Sequence, residues 1–151
     1  MPTNDKDFKA KLGTLPIAHQ RHVAAQFVQR VFPLSNDFRL KAALELALRV
    51  DVPDVELAAA YQTANTARVE SFTRCGKETD WTAQAGHFVA KAAVACVRPA
   101  AEGEFGNSSL AWEAAMSARM ARTCEAVATG EGTENSEAEE QYRILTAFLN
   151  S

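Results

Sequence analysis

Helix punctuation is the feature that most constrains this chain. Proline or glycine recurs at Gly13, Pro16, Pro33, Pro53, Gly76, Pro99 and Gly130, and between these stops apolar residues return at three- and four-residue spacing. Asn4 and Asp5 can cap a short first helix around Phe8 and Leu12, stopped by Gly13. Thr14 precedes Pro16, a good first-turn residue for a second helix. That helix carries Val23/Ala24, Phe27/Val28 and Val31/Phe32 on one face and His19, His22, Gln26 and Gln29 on the other, and Pro33 ends it. Ser35 or Asn36 can cap a third segment through Val50, with Leu40, Ala43, Leu44, Ala47 and Leu48 as its buried stripe.

Pro53 opens a long helix with Asp54 and Glu56 in the first turn, where carboxylates suit the helix dipole, running past Tyr61 and Phe72 to Gly76. Asp80 caps the next helix, in which Trp81, Ala85, Phe88, Ala92 and Ala95 share a face, and Arg98-Pro99 closes it. The stretch from Ala100 to Ser109, with Gly103 and Gly106, reads as a loop. Ser109 then caps a helix through Ala128, and Ser136-x-x-Glu139 reads as a capping box before Tyr142, Leu145 and Phe148. The expectation is a nearly all-α fold, one domain over residues 1–151, in a compact bundle of about six to seven helices.

Alanine makes up much of the 47% hydrophobic share. It favours helix but fills little volume, so the few large residues must carry the core. Residues 60–69 and 111–120 echo each other: alanines, one aromatic (Tyr61, Trp112), one arginine (Arg68, Arg119) and a final apolar residue fall in register. Each unit is a small-residue helix face that admits a neighbour at about 8 Å, plus an aromatic anchor. Two such units point to two related helical hairpins and fall short of the three or more a solenoid needs.

The amino-terminal residues lack the apolar run of a signal peptide. Phe88 to Val97, the most membrane-like stretch, is short and carries Lys91. Cys75, Cys96 and Cys124 are odd in number and without CxxC spacing, which reads as reduced, buried thiols. A cytoplasmic location is expected. The net charge of −3 divides unevenly, +4 over residues 1–50 and −7 over the rest. No basic residue lies between Arg122 and Arg143, where Glu125, Glu131, Glu134, Glu137, Glu139 and Glu140 fall. Such a segment repels nucleic acid and suits a basic partner, or is simply a solvated face.

No motif for chemistry stands out. His19 and His22 can present two imidazoles to one ion, but HExxH and ExxH are absent and a third ligand would have to come from elsewhere, His87 included. There is no GxSxG, no P-loop and no dinucleotide-binding glycine pattern. A DNA-reading helix-turn-helix over residues 17–50 is disfavoured by the negative net charge and the lack of a basic cluster. Gly86-His87 is the unusual dipeptide, since a mid-helix glycine costs about 1 kcal/mol against alanine. Gly86 is expected to permit a close helix contact, and His87 to be either a satisfied buried group or a partner-facing one.

Val31-Phe32-Pro33-Leu34, then Asp37 to Ala47, then an alanine-rich helix, then Ala85-Gly86-His87 occur in an order that resembles a family of alanine-rich, all-helical bacterial proteins. These are the immunity proteins of polymorphic toxin systems, with a V-L-P-x-F helix end, a D-x-R-x-R-K-A-x-E-A-A helix and a later A-A-G-H. The likeness covers roughly residues 20–97 and rests on Asp37, Arg39, Lys41, Glu45, Gly86 and His87. Phe38 and Leu40 depart from it, standing where the family has a polar residue and a proline. The resemblance implies a non-enzymatic protein that binds and neutralises a cognate toxin domain, with no cofactor and no metal.

With that implied partner taken as a basic protein domain, Glu131, Glu134, Glu137, Glu139 and Glu140 are the natural steering group, with His87 a further contact. Asp37, Arg39 and Gly86 are assigned to structure: Asp37 to the first-turn amides, Arg39 to a carboxylate elsewhere. A helical scaffold or self-assembling protein and a histidine-based metal protein or enzyme are the alternatives.

Overall fold

The computed structural model describes residues 2–49, 51–75 (backbone only at 74 and 75), 80–99 and 109–151. Among the described residues seven α-helices follow one another: α1 (Asp5–Gly13), α2 (Ile17–Val31), α3 (Arg39–Ala47), α4 (Asp54–Cys75), α5 (Trp81–Val97), α6 (Leu110–Ala128) and α7 (Glu137–Leu149). A 3-10 turn over Phe32–Leu34 follows α2, and the described residues contain no strand. The all-helical reading of the sequence is therefore correct. The expected stop at Gly76, the loop from Ala100 with its Gly103 and Gly106, and the Cys75 thiol lie outside the described residues.

Most helix starts use the residues the sequence offers. Asn4 accepts from the Asp7 amide (2.8 Å), Asp80 from Ala83 (3.1 Å) and Ser109 from Trp112 (3.1 Å). Helix α6 ends with Glu131 N–H bonding Ala126 C=O and Gly130 N–H bonding Val127 C=O, while Gly130 takes a φ of 79°. This is the Schellman arrangement, which needs a left-handed residue at that position.

Two starts differ from expectation. Helix α3 begins at Arg39, and the residue capping it is Asp37 rather than Ser35 or Asn36. Ser35 instead accepts from the Asp37 amide (3.1 Å), which tightens the entry into the cap. At α7 the Ser136 side chain makes no capping bond, and Asn135 Oδ1 accepts from the Glu137 amide (3.1 Å). Asn135 satisfies this amide through an Asx turn, which leaves the Ser136–Glu139 box unformed.

Helix α5 is the centre of the bundle, packed against α2, α3, α4, α6 and the 3-10 turn. Residues Ala92 to Val97 are all buried, so its carboxy-terminal half is surrounded rather than amphipathic. The two echoing segments lie on α4 and α6, and each packs on α5. Their matched alanines, Ala64 with Ala115 and Ala67 with Ala118, are buried, while the matched Val69 and Met120 are exposed. The repeat is thus a repeated way of lying on α5.

Where side chains are large, they cluster. Phe8 sits fully buried with ring centres 5.0 Å from Tyr142, 5.7 Å from Phe27 and 6.2 Å from Trp112, joining α1, α2, α6 and α7. Asp5 ties the same junction together. It takes two bonds from Arg119 (2.9 and 3.0 Å) and one from the Tyr142 hydroxyl (2.7 Å), and Arg119 above all holds the Asp5 carboxyl below its usual range. At the far end of α5, buried Arg21 donates to the carbonyls of Cys96 (3.0 Å) and Arg98 (2.8 Å), a cationic cap on a helix carboxy terminus.

Gly86 does make a close approach, but to the 3-10 turn and Ser35 rather than to a helix. A methyl group there would lie 3.5 Å from Leu34 O and 3.9 Å from Ser35 Cα, ordinary contact distances. Its backbone is helical, so nothing in the conformation demands glycine. Gly86→Ala is therefore expected to stabilise the fold by about 0.5–1 kcal/mol through helix propensity, read as a raised urea midpoint with an unchanged slope. A lower midpoint would show that this contact has less room than its geometry gives.

Candidate functional site

A cleft of about 640 Å³ opens between the Ser35–Arg39 segment, α4 and α5. It gathers residues far apart in sequence: Asp37, Phe38 and Arg39 before and at the start of α3, Ala67 and Ser71 on α4, and Thr82, Ala83 and Gly86 on α5. Three of the residues carrying the family resemblance, Asp37, Arg39 and Gly86, thus share one wall system. His87 stands behind it, bonded to Ser71.

Asp37 and Arg39 form a rigid pair. Asp37 Oδ1 accepts from the Arg39 amide (3.0 Å) and from Arg39 Nε (2.9 Å), and Oδ2 accepts from Arg39 Nη2 (2.6 Å). Arg39 Nη2 also reaches Glu70 on α4 at 2.5 Å, which clamps the start of α3 to α4. The bonds to Asp37 first, and then Glu70, raise the Arg39 pKa further above its ordinary value, so the guanidinium is charged at all working pH. A fork-on-carboxylate pairing of this kind fixes orientation as well as charge.

Ser71 and His87 are placed like a nucleophile and its base, but among the described residues no acid pairs with the imidazole. The Ser71 Oγ to His87 Nδ1 distance is 2.9 Å, and Ser71 Oγ also bonds the Arg68 carbonyl one turn back (2.7 Å). The charges acting on His87 are Lys91 and Arg68, both cations, and no ion pair to His87 occurs among the described residues. A catalytic serine needs an imidazole oriented by an acid and donors for the oxyanion. Burial first, then Lys91 and Arg68, push the His87 pKa below 6.5, so the ring is neutral at pH 7.

The rim is apolar. Phe38 is 84% exposed, and Phe72, beside Ser71 and 5.6 Å from the His87 ring, is 67% exposed. Phe38 lines the cleft, while Phe72 lies outside its lining against the His87 ring, and both rings are left in water. Periodicity had marked neither as exposed. The only signal at Phe38 was its departure from the family pattern.

The predicted acidic residues do not act together. Glu131, Glu134 and Glu139 are exposed. Glu137 is a correction to the sequence reading: it is 2% exposed and holds Arg30 Nε at 2.8 Å and Arg122 Nε at 3.2 Å. Its charge is engaged inside the bundle, joining α2, α6 and α7, and cannot meet a partner. Glu140 is half-buried and pairs with Arg143 and, at 3.8 Å, with Arg30.

The histidines stay apart in role. His19 and His22 both lie against Phe148 of α7 (5.3 and 5.6 Å), and His22 Nδ1 donates to the Leu48 carbonyl (3.0 Å). His87 is bonded to α4 instead. Among the described residues no group of three or more His, Cys, Asp or Glu side chains converges to hold a metal ion. Cys96 and Cys124 are buried, and burial pushes the Cys96 thiol up to about 12, which makes it a poor nucleophile. No helix among the described residues is long and apolar enough to cross a membrane.

The described residues define a class of protein: a seven-helix bundle with a cleft lined by the exposed Phe38. No family model, curated protein or solved structure matches the chain.

Two outcomes follow from this geometry. Glu137→Gln leaves two guanidinium groups sharing a neutral partner and should cost about 2 kcal/mol by urea denaturation, whereas Glu131→Gln should cost nothing measurable. The second concerns pH. The folded state keeps His87 neutral at pH values where the unfolded chain, titrating near 6.5, has already taken up a proton. Its contribution is therefore full above about 6.5 and is lost as the pH falls through that value toward the depressed folded pKa. Melting temperatures from pH 8 to 5 should fall more steeply for the native chain than for His87→Gln. Parallel profiles would remove His87 as the cause.

Proposed function

We propose that this chain is a non-catalytic protein-binding module that neutralises a cognate bacterial toxin domain by docking it across the α3–α4–α5 cleft. The observation that carries the reading is the exposed phenyl ring of Phe38 lining a cleft whose walls are tied by the Asp37–Arg39–Glu70 clamp, with a second exposed ring, Phe72, one residue on from the cleft residue Ser71. Aromatic anchors beside a preformed groove are the usual centres of protein interfaces. A rigid groove also avoids part of the ordering cost of association. The resemblance to immunity proteins supports the identity of the partner, and four of the six residues it rests on, Asp37, Arg39, Gly86 and His87, lie in or against this cleft.

Charge fits the same partner. The clamp joins two carboxylates to one guanidinium, and Asp80 caps α5 beside cleft residues Thr82 and Ala83. The clamp thus leaves one carboxylate in excess at the cleft mouth, while Arg68 and Lys91 act on His87 behind its wall. Glu131, Glu134 and Glu139 add a diffuse negative field, which speeds encounter with a basic domain without touching it.

The test is affinity capture from the native host with the native chain and with a Phe38→Ala/Phe72→Ala variant. The expected result is a one-to-one complex with the carboxy-terminal domain of a large secreted protein. That domain should arrest growth when expressed alone and be harmless beside this chain. The double variant should weaken the complex at least about 100-fold, as two hot-spot rings would, at an unchanged melting temperature. Recovery of the chain only with itself, while the candidate partner is expressed, would replace this reading by self-assembly through the same rings.

A further inference from the structure

A second opening lies at the other end of α3. It is a cavity of about 520 Å³ between the starts of α2 and α4 and the end of α3, walled by Ile17, Leu46, Val52, Leu57 and Pro99. Arg21 lies in its wall, and Arg21 is only 7% exposed.

A guanidinium this deeply buried is normally paired with a carboxylate, because an uncompensated charge in a poorly solvated place is costly. Arg21 makes no ion pair among the described residues. Its Nη1 donates both of its bonds to the carbonyls of Cys96 and Arg98. Nε and Nη2 have no acceptor among the described residues, yet they are not sealed from solvent as the orphaned Arg98 Nε is. Two parallel donors on a residue that lines the cavity therefore have no acceptor among the described residues, and as a fork they match one carboxylate.

Around Arg21 the cavity carries charges of both signs, and the start of α2 adds a positive end. Arg49 and Asp54 also line the cavity, and Arg49 reaches Glu56 at 3.8 Å, a long and exposed pair. Asp54 acts on Arg21 only through space, opposing the burial that lowers the Arg21 pKa. Helix α2 begins at this wall with no capping side chain and no acidic residue in its first turn, so its positive end is uncompensated. Apolar walls with one convergent charged group are the usual make-up of a small-ligand site, and the volume lies in the usual range.

We infer that this cavity binds a small amphipathic carboxylate, with the carboxylate on Arg21 Nε and Nη2 and an aliphatic tail against Ile17, Leu46 and Leu57. This site is separate from the docking cleft and does not depend on a toxin partner.

Octanoate serves as the probe, and 1-octanol is the control of equal tail length and no charge. Titrated into the isotope-labelled full chain and followed by amide shifts, octanoate should give saturable changes at Ala18, Leu46, Leu57 and Ala58. Octanol at equal concentration should not. Ala58 is exposed and lines the cavity, so Ala58→Trp should fill the space and weaken octanoate binding at least about tenfold at an unchanged melting temperature. Equal shifts with octanol would reduce the cavity to a greasy surface, and no saturable shift with octanoate would remove the site. Unchanged octanoate binding in Ala58→Trp would place the ligand elsewhere. The comparison of the two probes on the native chain decides the matter even if the variant is destabilised.

Discussion

Close approach to α5 is the constraint on which the rest of the structure depends. Its neighbours α4 and α6 meet it through buried alanines at equivalent positions, and α5 itself presents Ala85, Ala90, Ala92 and Ala93. Small side chains bring backbones near and make good van der Waals contact, but each removes little apolar surface from water. A bundle built this way has a tight centre and a modest hydrophobic term. Four aromatic rings are accordingly gathered where α1, α2, α6 and α7 meet, around Phe8.

The polar ties follow the same logic. Separate helices are joined by Asp5–Arg119, by Glu137 with Arg30 and Arg122, by Arg39–Glu70 and by Arg98–Glu113. Every one of these uses arginine, while the lysine pair among the described residues, Lys11–Asp7, stays within α1. A planar fork can satisfy a carboxylate and a backbone carbonyl together, as Arg122 does with Glu137 and Arg30 O. Exposed pairs of this kind add little energy each. Their value here is in angle and register, which alanine faces alone specify poorly.

This division explains what could be read from sequence. Caps and stops are local, so Asn4, Asp80, Ser109 and Gly130 announced their helices directly. The α4–α6 echo was legible because both helices solve the same packing problem against α5. Glu137 was misread because its neighbours Glu139 and Glu140 are not buried, and nothing nearby in sequence reveals that Arg30 and Arg122 will arrive from two other helices. Asn135 displaced Ser136 as the α7 cap for a reason one residue wide. The cleft was half visible: Asp37, Arg39, Gly86 and His87 stood out one by one, while Ser71 and Phe72 looked like any other turn of a long helix.

Helix length finally decides where openings can exist. Faces made of alanine pack flush and leave no cavity, so a cleft needs a place where one helix runs out beside another. Helix α3 has nine residues and α4 has twenty-two. At about 1.5 Å per residue, α4 outruns its neighbour by roughly 20 Å in all. One cleft opens before α3, walled by Ser35 to Arg39, and the other lies at its end, walled by Leu46, Arg49 and Val52. The connectors around α3 carry the exposed Phe38 and line both spaces, while the clamp of Arg39 on Glu70 holds the short helix in place between them. Lengthening α3 would close the openings and leave the bundle intact. The position of both sites is thus a consequence of one short helix laid against one long one.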